Sequence, residues 1–164
     1  VDAVDRYIVR ATAARLLADT QERYERERQP EVVRTAGRLF STITGGRYTG
    51  LNVPLGDGRI EAFDTHAAAY TSDILSRGTA EQLYLAIRLG LIGQLGEVGR
   101  GLPVLMDDVF VNFDDDRKRG AAEAVAEVAG QRQIVFFTCH PETAALFEAA
   151  APGHVRIELP RLGA

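Results

Sequence analysis

Two apolar runs, Leu102-Pro103-Val104-Leu105-Met106 and Ile134-Val135-Phe136-Phe137, constrain the fold of this sequence more than any other feature. Each ends in polar residues, Asp107-Asp108 after the first and Thr138-Cys139-His140 after the second, and a helical pattern over 115–129 separates them. Short apolar strands alternating with helices imply a parallel sheet covered on both faces, with ligands gathered at the carboxyl ends of the strands. Strands are therefore expected over 102–107, 133–138 and 154–159, and helices over 79–96, 115–129 and 141–150. The fold class is α/β, a mainly parallel sheet flanked by helices. Leu83, Leu85, Ile87, Leu89, Leu91 and Ile92 make helix 79–96 apolar on most sides, which predicts that it is buried.

Upstream the periodicity differs. Residues 2–29 contain no Gly or Pro, and Val4, Ile8, Ala11, Ala14 and Leu17 fall on one stripe, the pattern of a long amphipathic helix. Its second half, from Gln21 to Arg28, is charged almost all round, as suits a helix projecting into solvent or the end of a coiled coil. Pro30 fits the first turn of a second helix over 31–43, which Gly45-Gly46 would end. Alternation through Leu51, Val53 and Leu55, the turn Gly56-Asp57-Gly58, then Ile60, Ala62 and Phe63 predicts a hairpin.

A length of 164 residues suits one domain or one lobe of a larger one. The net charge of -4 gives no overall basic field, so DNA could be bound only through a local patch or a partner. The single cysteine, Cys139, excludes an internal disulfide and reads as a small buried apolar residue rather than a nucleophile. No apolar run approaches the length of a membrane span, and a cytoplasmic location is expected. Because the chain opens on Val1 within what reads as a helix, it is expected to be a fragment of a longer protein.

Chemistry is concentrated in four places. In Leu75-Ser76-Arg77-Gly78-Thr79-Ala80-Glu81-Gln82, Thr79 and Gln82 fit a capping box, placing the helix start at Thr79 and the turn Ser76-Arg77-Gly78 at the positive end of its dipole. Gly78 would let a phosphate approach the backbone, and Ser76 offers a hydroxyl. Asp107 and Asp108 follow an apolar strand, where buried carboxylates need partners such as Mg²⁺. Val111-Asn112-Phe113-Asp114 is a loop leading to Asp115 and Asp116, acids that complement a helix start. His140 sits at the tip of a strand, at the same sheet edge as Asp107. A P-loop is absent: the only lysine is Lys118, preceded directly by Asp116 and Arg117 rather than by glycines.

Taken in order, these elements resemble the C-terminal lobe of an ABC-type ATPase head of the SMC-like branch (SbcC/RecN-like), over nearly the whole chain. Residues 75–82 look like the signature motif, 104–108 the Walker B strand, 111–114 the D-loop and His140 the H-loop. The segment from Phe40 to Tyr48 looks like re-entry into the head after a returning coiled coil. Leu83-Tyr84-Leu85-Ala86 and the stretch from Asp107 to Asp114 look closest to YhaN-like ATPases.

The resemblance implies a P-loop NTPase-like half-domain over 44–164, preceded by the helical end of a coiled coil over 1–43. It implies ATP and Mg²⁺ as cofactors, with Asp107 on the metal, Asp108 as the acid that positions or activates water, and His140 at the γ-phosphate. Ser76, Arg77, Gly78, Thr79 and Gln82 would bind ATP held by an opposite head, with Asn112 and Asp114 in the D-loop. Asp108 stands where Glu is usual. The implied partners are an N-terminal Walker A lobe of the same protein, a second head in a homodimer, DNA and a nuclease subunit, with no membrane; the implied context is DNA repair or chromosome maintenance. The chain by itself, lacking Walker A, would be inactive.

Two other classes compete. A metal-dependent Toprim-like nuclease could use Asp107, Asp108, Asp114 and Asp116, but would explain neither the signature turn nor His140. A non-catalytic coiled-coil adaptor would explain residues 2–43 only.

Overall fold

The computed structural model describes residues 7–8, 10–12, 14–16, 30–54, 58–94 and 102–160. Most of the expected helix over 2–29 lies outside the described residues; those of its residues that are described are helical and exposed. Helix α1 (Glu31–Ile43) begins after Pro30, whose carbonyl accepts from the amides of Val33 and Arg34. It ends where the Gly45 amide donates to Thr42 O at 3.2 Å and the Gly46 amide to Ser41 O at 2.9 Å. Both glycines have positive φ, and this pair of bonds satisfies the last carbonyls of the helix.

A three-stranded antiparallel sheet follows: β1 (Tyr48–Asn52), β2 (Glu61–Asp64) and β3 (Ala69–Thr71), in that order. The expected hairpin is present, with Asn52 opposite Glu61; residues 55–57 of its tip lie outside the described residues. Strand β3 was not expected from the sequence, because three residues are too few to display a period. It is turned back by Asp64, whose Oδ1 accepts from the amides of His66 and Ala68 at 2.8 and 3.0 Å.

Helix α2 (Arg77–Gln94), strand β4 (Val104–Asp107), helix α3 (Asp115–Ala129), strand β5 (Ile134–Phe137) and helix α4 (Pro141–Ala150) follow along the chain. Strands β4 and β5 pair in parallel from Val104 opposite Ile134 to Asp107 opposite Phe137. Helix α1 is the centre of the packing, with α2, α3 and β1 against it. Its Leu39, Phe40 and Ile43 are fully buried alongside Leu83, Ala86 and Leu89 of α2 and Ala121, Ala124 and Val125 of α3. Two glycines set the approach of the helices: a Cβ at Gly120 would lie 2.5 Å from Thr42 O, and one at Gly90 2.9 Å from Val32 O. A second cluster, Phe110, Phe136 and Phe147, with ring centroids 4.9–6.0 Å apart, ties the loop after β4 to β5 and α4.

Three expectations are corrected. Residues 154–159 form no strand: Val155, Ile157 and Leu159 alternate as a strand would, but no described strand pairs with them, and they are 83%, 76% and 74% exposed. Helix α2 is buried on one side only, with Tyr84 and Leu91 exposed, because the chain covers just that side. The parallel pair is likewise open on the face that carries Leu105 and Phe137. No described helix is long and apolar enough to cross a membrane.

Candidate functional site

At the carboxyl edge of β4 and β5 the chain delivers Asp107, Asp108 and His140 together, as the alternation of strands and helices requires. Asp108 continues the ladder, its amide donating to Phe137 O at 2.9 Å, and turns the chain with φ of +44°, a backbone conformation uncommon for any residue but Gly. Both oxygens of its carboxylate are held: the Thr138 hydroxyl donates to Oδ1 at 2.6 Å and the Cys139 thiol to Oδ2 at 3.3 Å. The Thr138 bond is the main reason that the Asp108 carboxyl titrates below the ordinary aspartate value; the hydrogen bond that the Cys139 thiol donates to Asp108 raises the thiol in turn, and the nearby carboxylate charge adds to that rise.

Cys139 is therefore exposed and polar in its role, rather than buried as expected. Thr138 also accepts from the His140 amide at 3.1 Å, and His140 Nδ1 lies 3.3 Å from Glu142 Oε1 at the start of α4. Of the two acids, Asp108 has the partners expected of a carboxylate after an apolar strand. Asp107 is exposed, and its carboxylate has no protein partner among the described residues.

The second group is the start of α2. The helix begins at Arg77, two residues earlier than the capping box at Thr79 suggested, because Ser76 is the cap: its Oγ accepts from the Thr79 amide at 3.3 Å and its carbonyl from the Ala80 amide. Arg77 and Gly78 are thus in the first turn, and their amides have no acceptor among the described residues, as expected at a helix start. Gln82, expected among the phosphate contacts, is instead buried, its Oε1 without a partner among the described residues. The helical period puts it on the stripe of Leu85, Ala86, Leu89 and Gly90, which faces the core.

Glu81 joins the two groups. It accepts from Asn112 Nδ2 at 2.9 Å and from Arg77 Nε at 3.1 Å, so one carboxylate ties the loop after β4 to the first turn of α2. The Asn112 bond, and then the Arg77 bond, hold its pKa below the usual glutamate value. Gly78 packs on the same loop: a Cβ on it would lie 3.6 Å from Asn112 O. Asp114 caps α3 by accepting from the Arg117 amide at 2.9 Å, and Asp115 and Asp116 lie in its first turn, where acids complement the dipole as expected. Among the described residues, no three of Asp107, Asp108, Asp114 and Asp116 come within coordinating reach of one another.

Sequence reasoning missed Thr138 and Glu81 as site residues. A threonine two residues before His140 and an acid four residues after Arg77 were visible, but their partners Asp108 and Asn112 lie 30 and 31 residues away in the chain.

No protein-family model matches the chain. The chain is 34% identical over 136 residues to the uncharacterized protein YhaN of Bacillus subtilis (strain 168), an alignment that spans 82% of this chain and 14% of that protein. Among solved structures, it superposes with a TM-score of 0.59 on one from a study of ATP-driven dimerization and DNA-stimulated activation of SMC ATPases. That match has 16% identity and covers 80% of this chain and 76% of the other. It also superposes on the SMC head domain from Thermotoga maritima with a TM-score of 0.55 and 18% identity, covering 81% of this chain and 45% of that one.

Proposed function

We propose that this chain, whose fold is that of the C-terminal lobe of an SMC-like ABC ATPase head, is the half of such a head that contributes Walker B, signature, D-loop and H-loop residues to ATP hydrolysis between two engaged heads. The observation that carries the reading is one parallel strand pair bringing Asp107-Asp108 and His140 to a single edge. A capped helix start with open amides, tied through its own Glu81 to Asn112 of the loop after β4, agrees with it.

Asp107 suits Mg²⁺, which takes one or two carboxylates and fills its remaining positions with water and phosphate oxygens; its exposed carboxylate at a strand end, without a partner among the described residues, offers such a ligand. Bound there, the ion would supply charge neutralisation of the phosphates. Asp108 orients the attacking water and accepts its proton, with Thr138 and Cys139 fixing the direction of the carboxylate. That support, together with the turn in the backbone at Asp108, sets the reach of an acid one methylene shorter than Glu. His140 contacts the γ-phosphate from the neighbouring strand.

Ser76 and the amides of Arg77 and Gly78, at the positive end of α2, receive the γ-phosphate of ATP held by the other head. Glu81 and Asn112 couple that contact to the loop following Asp108. In this reading residues 1–43 return from a coiled coil, with α1 packed into the lobe, and 44–164 form the lobe. The Walker A lobe belongs to the same protein, the second head is another copy, and the isolated chain is inactive. DNA, a nuclease subunit, a repair or chromosome-maintenance role and a cytoplasmic location complete the proposal.

The test is a mixing experiment in the complete protein. Ser76→Arg puts a large side chain where a phosphate oxygen should sit, and should allow ATP binding yet abolish ATP-driven engagement and hydrolysis. Mixed with a Walker A variant, it should give heterodimers that regain one intact composite site and part of the activity. Normal ATP-driven dimerisation of the Ser76→Arg protein, followed by light scattering, would overturn the role across the interface.

A further inference from the structure

The carboxyl edge of β4 and β5 holds a second set of ligands, softer than those that suit Mg²⁺. One carboxylate oxygen of Asp108, the Cys139 sulfur and a ring nitrogen of His140 all lie within 4.8 Å of one another, and among the described residues they are the only three such groups so placed. Tetrahedral zinc with bonds of 2.0–2.3 Å needs ligand atoms about 3.5 Å apart. The Cys139–Asp108 pair is already at 3.3 Å, and the other pairs, within 4.8 Å, have at most about 1.3 Å to close.

Thiolate and imidazole select zinc-type ions over Mg²⁺ and Ca²⁺, which prefer oxygen ligands. The charges also balance, since a thiolate and a carboxylate neutralise a divalent cation while the imidazole stays neutral. An independent observation points the same way. Glu142 Oε1 lies 3.3 Å from His140 Nδ1, the carboxylate–histidine pairing that orients a metal-binding imidazole. Cys139 is exposed, so the site is open to solvent, and a fourth position is left for water.

We propose that Asp108, Cys139 and His140 form a binding site for a zinc-type divalent ion, with Glu142 as the outer carboxylate. On binding, the Cys139 S–H bond breaks, its proton passes to solvent, and the metal–sulfur bond takes the place of the thiol's hydrogen bond to Asp108. Occupancy withdraws Asp108 and His140 from the attacking water and the γ-phosphate, so zinc is inhibitory; that consequence rests on the ATPase reading, whereas the site does not.

The experiment titrates the chain with Co²⁺, as a coloured substitute, followed by displacement with Zn²⁺. Because Cys139 is the only cysteine of the sequence, a thiolate-to-cobalt charge-transfer band reports on it alone. The expected result is one equivalent of Co²⁺ with that band and tetrahedral d–d absorption, both lost on adding Zn²⁺. Cys139→Ser, an exposed and conservative change, should abolish the band, and Glu142→Gln should weaken Zn²⁺ binding by roughly tenfold or more. Co²⁺ binding without a sulfur band in the native chain, or Zn²⁺ affinity unchanged in both Cys139→Ser and His140→Ala, would overturn the proposal. The chain has no P-loop and the readout is metal binding, so either result leaves the ATPase reading to its own test.

Discussion

Replacing Gly78 by Ala should separate the stability of this lobe from the proposed action on a second head. Gly78 lies in the first turn of α2 without a left-handed φ, so an alanine meets no backbone strain there. Its Cβ would find no atom nearer than Asn112 O at 3.6 Å, an ordinary van der Waals contact. Gly to Ala inside a helix is worth about 0.5–1 kcal/mol, less in the first turn, so the change should leave stability equal or raise it by up to about 1 kcal/mol. For a domain of this size that corresponds to a melting temperature higher by about 0–4 °C. The same methyl would stand in the first turn of α2, beside the amides that the proposed phosphate contact uses. Alanine keeps the N–H, but a methyl that keeps a phosphate from reaching it has the effect of losing one preorganised donor, roughly 10²–10³ in rate, so hydrolysis by the complete protein should fall by up to about that factor. Thermal melting by circular dichroism, ATP-driven dimerisation and phosphate release are to be measured on the same preparations. A melting temperature lowered by several degrees would mean that Gly78 serves packing, and wild-type turnover would mean that no phosphate approaches this turn.

Two further outcomes are expected. Asp108→Asn in the complete protein should preserve ATP binding but reduce turnover by roughly a hundredfold or more, the scale for removing a general base, with ATP-bound dimers accumulating in gel filtration; unchanged turnover would place the base elsewhere. Gly120→Ala should destabilise the lobe by about 1–3 kcal/mol or more, because its Cβ would lie 2.5 Å from the Thr42 carbonyl and force α3 away from α1; a denaturant midpoint equal to the native one would show that the contact relaxes freely.

Local chemistry alone was enough to place several elements. The ends of α1, α3 and α4 follow from Pro30, Gly45-Gly46, the acids around Asp114 and Pro141, since proline, glycine and capping side chains act on their own neighbours in the chain. The apolar runs of β4 and β5, and the polar residues at their tips, were legible for the same reason. What the sequence could not give was anything that depends on which strands pair. Val155, Ile157 and Leu159 alternate as well as any strand, yet a strand forms only where a neighbour supplies hydrogen bonds, and none of the described strands does. Gln82 belongs to the signature-like run, but its burial was decided by the side of α2 that meets α1. Parallel pairing of Asp107 with Phe137 sets Thr138 and Cys139 beside Asp108 across 30 residues of chain, turning an acid and a cysteine into one hydrogen-bonded group. The sequence alone determined which residues stand at the ends of the strands; the tertiary structure decided which ends share an edge, because a hydrogen bond of 2.6 Å depends on distance in space and not on separation along the chain.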